Sequence, residues 1–136
     1  MKKLENKYRK YLNAPYKHLG RDLSGLDCFG LLILYYKDFK NIKLKDWYYE
    51  EDWHKKGHNH ILEKSKYYNF IEVNDFQKDD VVLLKMDLHS KIPNHVCIIV
   101  QPPNIGISAE KGGVMLIDLN RNILKRRIYG VYRCQN

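Results

Sequence analysis

Two residues far apart in the chain, Cys28 and His95, are of the types from which thiol chemistry is built. Cys28 stands in Gly25-Leu26-Asp27-Cys28-Phe29-Gly30, just before the apolar run Leu31-Leu32-Ile33-Leu34-Tyr35-Tyr36. A cysteine where a loop passes into a helix meets unpaired first-turn N–H groups and the positive end of the helix dipole, and both favour a thiolate. His95 opens His95-Val96-Cys97-Ile98-Ile99-Val100, a strand-like run. An imidazole within reach of that thiol would hold the thiolate and later protonate a leaving amine. A buried structural cysteine and a strand-end histidine fit the same residues, and spacing alone does not separate the two readings.

The elements that must position this pair follow from periodicity. Residues 3–12 form a charged amphipathic pattern with Leu4, Tyr8, Tyr11 and Leu12 on one face. Asn13-Ala14-Pro15 ends that helix, because the residue before a proline is biased away from helical angles. Residues 15–25 read as a loop, and a second helix runs from about 27 to 39. It is apolar nearly all round, which marks a core element. Residues 41–66 read as an extended polar and aromatic loop leading into a short helix at 60–66, with Phe70–Val73 as a short strand. Strands are expected at 81–86, 95–100, 105–109, 114–118 and 128–133, with a tight turn at Asn120-Arg121-Asn122. Helices first and strands afterwards describe an α+β domain with an antiparallel sheet. Alternation puts His95, Cys97 and Ile99 on one face of their strand. With that face over the central helix, His95 would project toward the helix start.

At 136 residues the chain is expected to form one domain, 1–136, with a genuine core. Eleven tyrosines against four phenylalanines suggest many rings with one packed and one wet end. A net charge of +8 points to an acidic partner or surface, or only to a lysine-rich exterior. Three cysteines without a C-x-x-C pair indicate neither a disulfide framework nor a zinc knuckle, and fit synthesis in a reducing compartment. The basic start lacks the apolar core of a secretory signal, so synthesis in the cytoplasm is expected, with another component carrying the protein outward. No run approaches the roughly 20 apolar residues that span a bilayer.

His54, His58 and His60 near Glu51 and Asp52 could be metal ligands, but Gly57 and the polar surroundings favour a solvated loop, and no metal is expected. Lys125-Arg126-Arg127 could grip phosphates, or be the exposed approach to a strand. No nucleic-acid-reading motif accompanies it, so no nucleic-acid partner is expected. Trp47, Tyr48, Tyr49 and Trp53 could stack on sugars or dock a partner, or form the mini-core of their own segment.

Taken in order, Pro15-Tyr16-x-x-x-Gly20, Asp27-Cys28-Phe29-Gly30, Asp79-Asp80-Val81-Val82-Leu83-Leu84 and Asn94-His95-Val96-Cys97-Ile98 resemble the NlpC/P60 superfamily of papain-like cysteine peptidases. The motifs of that superfamily are P-Y-x-x-G-G, D-C-S-G, G-D-[LV]-[LV]-x-F and H-V-G-I. The ending Ile128-Tyr129-Gly130-Val131-Tyr132-Arg133 and the insertion with Asp52-Trp53 resemble the tail-tip branch of tailed phages and gene-transfer-agent particles. The resemblance spans about residues 8–133. It implies an α+β, papain-like fold in which an N-terminal central helix carries the cysteine and packs on an antiparallel β-sheet. It also implies a hydrolase of peptidoglycan stem peptides, acting at the bond between D-γ-glutamyl and a diamino acid, with no cofactor. Its partners would be those stem peptides and other tail-tip proteins, on a particle that acts in the cell envelope.

By position, the resemblance makes Cys28 the nucleophile and His95 the general base and acid. Tyr16 would place a hydroxyl near the oxyanion or substrate, and Asp27 would shape the pocket beside the nucleophile. The third catalytic position falls on Ser108, with Glu110 or Asn104 as substitutes in a shifted register, its role being to accept Nδ1–H of the imidazole. Phe29 departs from the usual serine, Leu19 from the first of two glycines, and Cys97 from a glycine. Two expectations follow: an active cell-wall cysteine peptidase, or a weakly active or inactive tail component with the same fold. Loss of the third triad member costs about 10⁴ in rate in the serine-protease template, and Ser108 motivates the second expectation.

Overall fold

A computed structural model describes residues 2–51, 63, 68–87 and 89–135. The helix expected at 60–66, apart from Glu63, and His54, His58, His60, Asp52 and Trp53, lie outside the described residues. Two short helices open the chain, α1 (Lys2–Lys7) and α2 (Arg9–Leu12). The single helix expected over 3–12 is thus broken at Tyr8, whose ring is fully buried with that of Tyr11 against Phe39. A small hairpin follows, β1 (Arg21–Asp22) and β2 (Gly25–Leu26), where the sequence suggested only a loop.

The central helix α3 (Cys28–Tyr35) is buried at Phe29, Gly30, Leu31, Leu32 and Tyr35. Asp27 caps it rather than belonging to it. Beyond Tyr35 the helix widens into a π turn, Tyr36–Lys40, which Asn41 closes at φ 54°. The tyrosines on either side of that change are neighbours in sequence, yet both reach one loop. Tyr35 Oη donates to Asp79 Oδ1 at 2.5 Å, and the Tyr36 hydroxyl donates to the Asp79 carbonyl.

The sheet has six strands: β3 (Phe70–Val73), β4 (Val81–Leu84), β5 (His95–Gln101), β6 (Ile105–Glu110), β7 (Gly113–Asp118) and β8 (Ile128–Cys134). Their order is β3-β8-β4-β5-β6-β7, and every pair is antiparallel. β4 ends at Leu84, two residues short of expectation, because Asn94 closes the chain there. Its N–H donates to Leu84 O at 3.0 Å and its Oδ1 accepts from Met86 N at 2.8 Å. The turn at Asn120 leads into a short helix, α4 (Asn122–Lys125), that periodicity did not reveal.

Both faces of the sheet are covered. Val81, Leu83, Val96, Ile98, Val100 and Ile107 pack in one cluster with α3, Tyr8 and Tyr11. Val82, Leu84, Cys97, Ile99 and Val131 form a second cluster with Leu119, which Phe76 and Leu124 help to cover. The helix therefore lies on the Val96–Ile98–Val100 face, not on the His95–Cys97–Ile99 face as expected.

Three motif positions prove to be fasteners. Asp80 is buried and accepts from Arg133 at both oxygens (Nε–Oδ1 2.9 Å, Nη2–Oδ2 2.8 Å), joining the start of β4 to β8. Gly20 and Gly30 let the hairpin press on α3. A Cβ on Gly30 would stand 1.9 Å from the Gly20 carbonyl oxygen, and one on Gly20 would stand 2.1 Å from that of Gly25.

Candidate active site

Cys28 is the first residue of α3 and is partly exposed. Asp27, 2% exposed, holds the chain entering it. Its Oδ1 accepts from Gly30 N at 2.8 Å and from Arg21 Nη1 at 2.9 Å. Its Oδ2 accepts from Leu19 N at 2.8 Å and from the Tyr49 hydroxyl. The carboxylate is thus an N-cap, worth about 1 kcal/mol as such, and also the acceptor for three other groups around Cys28. A buried charge so surrounded serves to hold geometry. Leu19 adopts φ 60° in donating to it, the left-handed conformation that glycine takes without strain. That is the position where the resemblance leads one to expect glycine. Phe29 likewise finds a partner: its ring lies 5.2 Å from that of Tyr49.

His95 begins β5 beside Asn94 and is buried. Its ring lies near the Cys28 side chain, which acts on its charge, and both line one cleft. Nε2 lies 2.7 Å from Ser108 Oγ and 2.9 Å from Glu110 Oε2. With Nε2 so occupied, Nδ1 is the nitrogen left for the sulfur. The third group therefore meets Nε2, not Nδ1 as expected. Asn104 does not take part, since its Nδ2 donates to Asp118 Oδ1 at 2.7 Å.

Burial would push the His95 pKa down, but the hydrogen bonds and charges of Cys28 and Glu110 outweigh it and raise the value to about 10. The His95 hydrogen bond pulls Glu110 down to about 2, against its own burial. An imidazolium beside a sulfur is the setting in which a cysteine becomes nucleophilic. Cys97, fully buried two residues along β5, is different, because burial pushes its thiol well up. Its sulfur fits beside Gly106, where a Cβ would approach it to 3.4 Å.

Cys28, His95 and Glu110 open into a cleft of about 950 Å³. Tyr16, 41% exposed, shares it with them. Of the residues expected at the site, Cys28, His95, Tyr16 and Asp27 line this cleft, while Ser108 is fully buried and reaches it only through its hydrogen bond to His95. Arg21 and Tyr49 were missed, although Arg21 donates to Asp27 and to the Tyr49 hydroxyl at 3.0 Å. A basic residue six positions before a buried aspartate was a usable signal for Arg21. Nothing in the 41–51 segment distinguishes Tyr49 from its aromatic neighbours. His18 was missed too. It stands against Tyr49, with Nε2 3.1 Å from its carbonyl oxygen, and also lines the cleft. Among the described residues no cluster of histidine, cysteine and carboxylate side chains has the makings of a metal centre.

Residues 13–133 match the NlpC/P60 family. A Staphylococcus aureus protein described as similar to a lipoprotein of the NLP/P60 family has a TM-score of 0.69 at 20% identity, over 98% of this chain and 41% of that one. A Bacillus cereus NlpC/P60 family protein has a TM-score of 0.66 at 21% identity, over 96% of this chain and 38% of that one. The NlpC/p60 domain of the peptidoglycan hydrolase SagA has a TM-score of 0.63 at 17% identity, over 94% of this chain and 93% of that one. The chain thus spans about two fifths of the length of the first two structures. Their shared fold is the papain-like α+β arrangement, a helix packed on an antiparallel sheet. No curated protein matches the chain.

Proposed function

The chain belongs to the NlpC/P60 family, and from that premise we propose that it is a cysteine hydrolase of peptidoglycan stem peptides. One observation carries the reading. The imidazole of His95 lies between the Cys28 sulfur and the Glu110 carboxylate, in an open cleft.

Cys28 Sγ attacks the amide carbonyl at the start of α3. The oxyanion forms near the first-turn N–H groups and the Tyr16 hydroxyl. His95 gives its proton to the departing amine, leaving an acyl-enzyme joined through a thioester. Water then loses a proton to His95 as its oxygen bonds to the acyl carbon, and the C–S bond breaks to restore the sulfur. No cofactor enters these steps. The bond favoured by the family resemblance is the one between D-γ-glutamyl and a diamino acid.

A finer reading puts the protein at the tip of a phage-like tail, among other tail proteins, acting in the cell envelope. The terminal motif at 128–133 supports it, and its presence in purified particles tests it. An inactive tail component was the alternative that Ser108 motivated, and Glu110 at 2.9 Å from Nε2 weakens that motive.

The test is cleavage of purified stem peptides, followed by the appearance of a new amine. Wild type is expected to release it, and Cys28→Ala to release none while unfolding at the same denaturant concentration. Equal cleavage by the two proteins would overturn the proposal.

A further inference from the structure

We propose that Glu110, rather than Ser108, is the positioning residue that supplies His95 with its counter-charge, and that it is needed most after Cys28 has been acylated. The second half of this inference rests on the hydrolase reading, while the first stands on geometry alone.

The sheet register puts Glu110 there. Ile98 pairs with Ile107, so the indices of partners sum to 205, and carrying that register three residues outward sets His95 opposite Glu110. Ser108 is then the diagonal neighbour, two residues back on the same face of β6. The end of β6 is fixed by the pairing of Glu110 with Gly113.

The hydrogen bonds assign the protons. Nε2 has both Ser108 Oγ at 2.7 Å and Glu110 Oε2 at 2.9 Å within reach, and Ser108 Oγ is itself hydrogen-bonded to Oε2. An ionised carboxylate only accepts, so the serine hydroxyl donates to Glu110 and offers Nε2–H a lone pair. Ser108, fully buried, wedges the carboxylate in place, and only Glu110 brings a negative charge. Hydrogen bonds between charged partners are roughly twice as strong as neutral ones.

The timing follows from the chemistry. In the resting protein the imidazole has two neighbours that act on its charge, the Cys28 side chain from α3 and the Glu110 carboxylate from β6. His18, Asp27, Glu51, Asp87, His89 and Lys111 are further titratable groups that border the same cleft. Once the sulfur is a neutral thioester, Glu110 is the remaining counter-charge while His95 takes the proton from water.

Glu110→Gln and Ser108→Ala separate the roles. Glu110→Gln is expected to slow turnover at least about 100-fold, the lower range for a general acid–base contribution. It should accumulate thioester on Cys28, seen by intact mass after acid quench, and move the alkaline limb of kcat/KM to lower pH. Ser108→Ala removes a hydrogen bond but no charge, so it should slow turnover less than Glu110→Gln does and leave the pH limbs in place. In a Cys28→Ala background, NMR titration should show the His95 imidazole losing its proton at lower pH with Glu110→Gln but not with Ser108→Ala. That shift without any wall-peptide cleavage by wild type would sink the hydrolase reading and leave the Glu110–His95 pairing standing. Wild-type turnover and titration in Glu110→Gln, or a larger effect of Ser108→Ala on both, would overturn the inference.

Discussion

His95 and Glu110 hold each other charged, and that mutual dependence gives the fold a pH signature. The His95 pKa is raised from 6.5 to about 10, so its contribution to stability is complete below 6.5 and is lost as pH climbs through 10. Glu110 is lowered from 4.5 to about 2, so its contribution is complete above 4.5 and is lost as pH falls through 2. The stability difference between wild type and Glu110→Gln should therefore be greatest between about pH 4.5 and 6.5 and shrink on both sides, as followed by urea unfolding midpoints. A difference that does not vary with pH would contradict the pairing. Cys28 and His95 were legible in the sequence because their residue types sit at the start of a helix-like and a strand-like run. Glu110 entered only as a substitute for Ser108 in a shifted register. The irregularity in the β5–β6 pairing between Ile99 and Gln101 makes the opposing residue hard to count, and a serine with a usable hydroxyl occupies the nearer position.

At the scale of elements, α3 and the hairpin before it form one unit, and Gly30 is the seam. An alanine there would drive its methyl into the Gly20 carbonyl, a backbone group that cannot rotate away. Gly30→Ala is expected to cost about 1–3 kcal/mol or more, read as a lower urea midpoint, with Cys28 displaced from His95. An unchanged midpoint would mean that the hairpin yields freely. The strands were legible because their apolar runs are punctuated by proline, glycine and asparagine. The hairpin was not, because two-residue strands carry no periodicity. The π turn was hidden for another reason: what goes with it is two adjacent tyrosines reaching Asp79, a contact 43 and 44 residues away in the chain. The face of β5 that covers α3 was misjudged because both faces are apolar, the second being buried beneath Leu119, Phe76 and Leu124.

For the molecule as a whole, the architecture explains how one helix start and one strand start come to share a cleft. The sheet is fastened along β4 and β8 by Asp80 and Arg133 and packed on both faces, so the end of β5 is a fixed platform for His95. The segment 41–51 contributes Tyr49, which bonds Asp27 and stacks near Phe29, and so shapes the approach to the sulfur. Among the described residues no helix is long and apolar enough to cross a membrane. The net charge of +8 suits an acidic partner or surface. What most needs testing is whether the whole fold exists to activate one thiol of three. Alkylation with iodoacetamide at pH 6, mapped by peptide mass, answers this directly. Cys28 should react far faster than Cys97 and Cys134, and His95→Ala should abolish the difference. Uniform labelling of the three cysteines, or a fast Cys28 that persists in His95→Ala, would contradict it.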